Sequence, residues 1–128
     1  MGRDYVKSQL EEIIALVGLK DFVYQLPLGL ESELQPEGKG LSKTIAHQIL
    51  LARGLVGSPK ALIMEDIFND VDSIVKAKVM DYVMKGPWTL LLVSDEKNVH
   101  QLADEIILMD QGKLVFKGKY DDYLTYKK

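Results

Sequence analysis

The amino-acid sequence predicts an α/β fold in which a helical region to about Gly57 leads, without a flexible linker, into a region that contains strands. Three observations carry that reading. Apolar residues recur at helical spacing in the first part of the chain. Two short apolar runs, residues 61–64 and 89–93, each open onto acidic residues and flank one amphipathic stretch. Near the end, two further apolar segments are separated by Asp110-Gln111-Gly112, a composition suited to a tight hairpin turn.

Taken in order, Val6, Leu10, Ile13, Ile14 and Val17 fall on one helical face over residues 5–17, and Gly18 suits the position just past a helix end. A short second helix over 19–25 precedes Pro27. From there Pro27, Gly29, Pro36, Gly38 and Gly40 punctuate a stretch with no period, which reads as loop. Ser42 is suited to cap the next helix, because its hydroxyl can accept from an amide of the first turn. In that helix Ile45, Ile49, Ala52 and Val56 line one face, and Gly57-Ser58-Pro59 ends it. The runs 61–64 and 89–93 are too short for helices, and unbroken apolarity suits strands covered on both faces. Residues 71–84 read as a crossover helix between them, giving one parallel strand–helix–strand unit. A short helix over 99–103, a hairpin with arms 105–109 and 113–117, and a last helix over 120–126 complete the chain.

Composition narrows the function classes. A formal net charge of -3 offers no basic field for a nucleic-acid backbone, so no nucleic-acid partner is expected. With no cysteine, thiolate chemistry, disulfides and Cys-based zinc sites are excluded. The first apolar residues are interleaved with Arg3, Asp4, Lys7, Glu11 and Glu12, unlike a leader peptide, and the apolar runs are too short to span a bilayer. A cytoplasmic domain is the expectation.

Several short motifs then occur in a fixed order. They are Leu26-Pro27-Leu28-Gly29, Gly38, Leu41-Ser42, Ala52-Arg53-Gly54-Leu55 and Pro59. The run 61–66 closes in Glu65-Asp66, and Asn69-Asp70-Val71-Asp72, Ser94-Asp95, Ala103-Asp104, Gly112 and Lys117-Gly118 follow. In order, spacing and residue class this resembles the C-terminal part of the ATP-binding domain of ABC (ATP-binding cassette) transporters of the exporter type, from about Tyr5 to Leu124. The resemblance implies a partial P-loop NTPase fold. Residues 4–57 would be the helical signature subdomain. Residues 58–128 would be the C-terminal part of the mostly parallel RecA-like core, with Walker B strand, D-loop, H-loop-like strand and terminal hairpin.

Residue roles follow from the same resemblance. Ser42, Lys43 and Thr44 stand at the signature, where the family has Ser-Gly-Gly. Glu65 stands where an aspartate organises magnesium through water, and Asp66 where a glutamate polarises the attacking water. Asp95 replaces the histidine that meets the γ-phosphate, and Asp72 ends the D-loop. Each position except Ser42 and Asp72 departs from the family pattern. Side chains at the glycine positions crowd the approach to phosphate. Exchanging the two acids moves each carboxylate by about one bond, and errors near 1 Å cost about a hundredfold in rate. No G-x-x-x-x-G-K-[ST] loop occurs, although that loop cradles the nucleotide phosphates in P-loop ATPases.

The implied cofactors are ATP and magnesium in an intact parent, with none held tightly by this chain. The implied partners are the missing N-terminal ATPase half, a transmembrane domain and a second ATPase domain, on the cytoplasmic face of a membrane. Plain structural roles compete with these: an exposed Lys43 at a helix start, Asp72 favoured by the helix dipole, and His47 and His100 as surface or packing residues. Two other functions compete as well. Glu65, Asp66 and Asp95 at strand ends suit a magnesium-dependent phosphoryl-transfer enzyme, and a non-catalytic interaction module could keep the fold without the site. Finally, a sheet lacking the family's P-loop strand would have an open gap. The expectation is that the hairpin shifts sideways to close it, or that a homodimer supplies the pairing.

Overall fold

The structure is a computed structural model that describes residues 6–65 and 70–127. Its opening helix, α1 (Lys7–Leu16), buries Ile13, Ile14 and Val17 as the periodicity predicts, while Val6 stays 66% exposed at the helix start. Gly18 then turns the chain into α2 (Lys20–Gln25) with φ +78, a left-handed conformation. A Cβ at Gly18 would come within 3.0 Å of both Gln48 Nε2 and Val75 Cγ2. Glycine is therefore needed there on two counts. Two single 3₁₀ turns, Gly29–Glu31 and Pro36–Gly38, occupy the stretch read as loop.

Helix α3 (Lys43–Leu55) starts where the sequence places it, with Ser42 Oγ accepting from the Ile45 amide at 3.2 Å. Its buried face is Gln48, Leu51, Ala52 and Leu55. The expected face of Ile45, Ile49, Ala52 and Val56 is corrected by about one residue of rotation: Ala52 is buried, while Ile45, Ile49 and Val56 are half-buried on the flank. The helix is apolar over a wide arc, and the true face is interrupted in sequence by one polar residue, Gln48, which hid its period. α1 packs against both α3 and α4 (Ser73–Lys85). α4 buries Val79, Met80 and Val83, and begins two residues later than expected because Asp72 caps it.

α4 connects β1 (Ala61–Glu65) to β2 (Thr89–Val93), which form a parallel two-stranded sheet as the pattern predicts. Coverage of both strand faces is not observed. β1 alternates, with Leu62 and Met64 buried and Ile63 76% exposed, and β2 has no buried residue. The described helices cover at most one face, so apolar side chains on the other remain in solvent.

The chain divides into two compact units, one ending at Leu92 and the other starting at Val93. In the second, α5 (Lys97–Leu102) precedes a hairpin of β3 (Ile106–Asp110) and β4 (Lys113–Gly118), and α6 (Tyr120–Tyr126) packs on β4. Gln111 and Gly112 both take positive φ, 45° and 76°, the geometry of a two-residue hairpin turn. The register runs Leu108↔Phe116 and then Met109↔Leu114, leaving Val115 as a one-residue bulge. Phe116 meets the rings of Tyr123 and Tyr126 with centroids 5.8 and 5.1 Å apart. β3 and β4 form a two-stranded sheet of their own.

Candidate functional site

The candidate residues occupy the ends of elements. Gly38 and Gly40, both with positive φ, bring the chain to Ser42, whose extended backbone (φ -67, ψ 155) and capping hydroxyl start α3. Lys43 is exposed in the first turn and Thr44 is half-buried. Glu65 closes β1 and is exposed. Asp66, the position that follows, lies outside the described residues.

Asp72 has a defined local role. Its Oδ1 accepts from the Ile74 amide at 2.9 Å and from the Val75 amide at 3.4 Å, so it is the N-cap of α4 rather than a residue within the first turn. One carboxylate oxygen is engaged with the backbone, and the side chain as a whole remains exposed. Asp95 is exposed in the loop after β2, within the second compact unit. Beside it, Ser94 Oγ accepts from the Glu96 amide at 3.1 Å, and the Ser94 carbonyl lies 2.9 Å from His100 Nε2. A carbonyl can only accept, so Nε2 carries the proton. His100 also meets Tyr123 edge-to-face at 5.7 Å, a packing role.

Glu65 and Asp95 belong to different compact units, and Asp66 is not among the described residues. Among them no group of three or more His, Asp or Glu side chains is gathered to hold a metal ion. Arg53 is exposed, and no ion pair among the described residues involves it.

Two features escaped the sequence reading. The first joins the two motif segments: His47 Nδ1, on α3, lies 3.4 Å from Asp70 Oδ2 in the loop that enters α4. The distance suits an ion pair, but the alignment is not that of a hydrogen bond, and Nδ1 is enclosed without one. Twenty-three positions separate these residues, and no spacing rule connects them. The second is a hollow of about 460 Å³ lined by Leu16, Ser58, Lys78, Tyr82 and Trp88 among others. None of the candidate site residues lines it.

No family model matches the chain. Its sequence is 29% identical over 128 residues to the lactococcin-A transport/processing ATP-binding protein LcnC of Lactococcus lactis, covering 98% of this chain and 18% of that one. It is 30% identical over 129 residues to the multidrug resistance-like ATP-binding protein MdlB of Buchnera aphidicola, covering 99% and 22%. Its fold matches a bacterial Atm1-family ABC exporter with ATP bound, with a TM-score of 0.79 over 96% of this chain and 22% of that one, at 21% identity.

The chain belongs with the ATP-binding domains of ABC exporters. It spans about a fifth of the length of these curated relatives. Among the described residues, no helix is long and apolar enough to cross a membrane.

Proposed function

We propose that this chain acts as the C-terminal part of an exporter's ATP-binding domain, and that it contributes to a nucleotide site completed by other polypeptide. The observation that supports the reading most is the continuous ABC match over almost the whole chain, joined to the family's fold. In this reading Ser42, Lys43 and Thr44 face nucleotide as the signature, and Glu65 and Asp66 stand at the magnesium and water-polarising positions. Asp95 stands at the γ-phosphate position, and Asp72 meets a paired ATPase domain. Every one of these groups needs partners that the described residues do not supply.

The same reading gives the helical region a coupling role on the cytoplasmic face of a membrane. Tyr24 and Leu28 are 77% and 70% exposed, next to half-buried Phe22 and Val23. Such a cluster of exposed apolar side chains suits a protein contact. Residues 4–57 would form this docking subdomain, and 58–128 part of the ATPase core.

Three measurements test the proposal. Calorimetry of the chain with magnesium ATP is expected to show no micromolar binding, and phosphate release no turnover near the ordinary enzyme range of about one per second. Either signal would overturn the claim of an incomplete site. Because the chain has no cysteine, Tyr24→Cys and Leu28→Cys each accept a single thiol label. The label is expected to react freely on the purified chain and to be shielded in membranes from the producing cell. Equal reactivity in both would overturn the coupling role.

A further inference from the structure

We propose that His47 is a positioning residue that fastens the loop entering α4 to α3, so that the signature-like and D-loop-like segments move as one. The link is a property of this chain without nucleotide, while its use in positioning rests on the function proposed above.

The contact centres on an enclosed nitrogen. His47 Nδ1 is shut off from solvent and has no hydrogen-bond partner among the described residues, and Asp70 Oδ2 stands 3.4 Å from it. An unanswered polar atom in that position is unfavourable, and a carboxylate facing it is the group best able to compensate. A modest rotation of the ring or the carboxylate converts the contact into a charge-assisted hydrogen bond when Nδ1 carries a proton. The rest of the imidazole and the carboxylate remain partly open, with side-chain exposures of 31% and 45%. The pair therefore acts as a fastening more than as a source of global stability.

Its location makes the fastening consequential. His47 lies four residues after Lys43 and three after Thr44, so it shares their face of α3. Asp70 lies two residues before Asp72, whose carboxylate holds the Ile74 and Val75 amides. One side-chain contact thus ties the start of α3 to the cap of α4. The ABC pattern has Ser-Ala-Leu-Asp where this chain has Asn69-Asp70-Val71-Asp72, with alanine at the position of Asp70. The fastening is an addition to that pattern.

Residue-resolved amide exchange by NMR tests it on the chain itself, with no nucleotide present. His47→Ala, Asp70→Ala and the double variant are compared, with His47→Gln as the conservative replacement. Each alanine variant is expected to speed exchange at the Ile74 and Val75 amides by about threefold, the size of a partly exposed ion pair. The double variant is expected to go no further than either single one, and His47→Gln to restore part of the protection. Additive effects, no change at these amides, or an equal rise across the whole chain would each overturn the proposal. None of those outcomes bears on whether the chain serves an exporter, so the two readings fail separately.

Discussion

The two compact units differ in how much they bury. Among the described residues, twelve of the fourteen buried apolar side chains lie in the first unit, and the second has Ile106 and Tyr123. The first places Ile13, Val17, Leu51, Leu55, Val79 and Val83 almost wholly out of water, drawn from three helices. The second relies on a two-stranded hairpin and aromatic edges, with Ile107, Met109 and Leu114 each more than half exposed. A two-stranded hairpin is marginal without a covering element. The contrast teaches that helices supply their own core locally, whereas these strands do not obtain theirs from the described residues.

The largest effect should come from the deeper core. Leu55→Ala removes a side chain that is 1% exposed and is expected to cost about 2–5 kcal/mol, read as a lower denaturant midpoint. Tyr123→Ala, in the other unit, should instead raise amide exchange through β3 and β4 while leaving α3 protection as it was. If Tyr123→Ala weakens both units equally, the contrast is broken.

Gly86→Ala sharpens the comparison at the edge of the first unit. A Cβ there would fall inside the Trp88 indole ring, so the ring must swing away. It would lose the bond that Nε1–H donates to the Val83 carbonyl at 2.8 Å and its tilted contact with Tyr82. The expected loss is about 1–3 kcal/mol with a visible change in tryptophan emission. Smaller again are the caps. Asp72→Ala, which removes an acceptor of two amides, should cost about 1 kcal/mol, and Ser42→Ala, which removes an acceptor of one, somewhat less. Thermal melts of the pair check the order.

The smallest effect concerns pH. Partial burial, reinforced by the charge of Glu12, pushes the Tyr82 hydroxyl above its ordinary 10.0. A raised acid pKa favours the neutral form in the folded state. The contribution is therefore complete below pH 10 and is lost as pH rises through the folded value. Tyr82→Phe should flatten that alkaline fall slightly, and a denaturation series from pH 9 upward would show it.

Much of this was legible in the sequence because it is local. Ser42 before an apolar helix, Gly18 after one, and Gln111-Gly112 between apolar arms each act within a few residues, and each is found where expected. The buried face of α3 was misread because Gln48 interrupts it, although its 6% exposure makes it part of the core. Strand coverage was misread for a different reason. An apolar run such as Leu90-Leu91-Leu92 states a preference for burial, while the layers that satisfy it are set by distant chain. The candidate site follows the same division. Asp72 reads as an acid at a helix start and caps two amides within three residues of it, whereas the approach of His47 to Asp70 depends on folding between residues far apart in sequence.

Trp88 is the chain's single tryptophan, and its indole is anchored at the end of α4. It is a built-in optical probe of one place. A fluorescence melt will therefore record the collapse of the first unit and will be blind to the hairpin, while far-ultraviolet dichroism averages over both. Curves from the two methods that fail to superimpose would be the direct signature that the molecule does not unfold in a single step. A stability measured by fluorescence alone would then describe part of the chain.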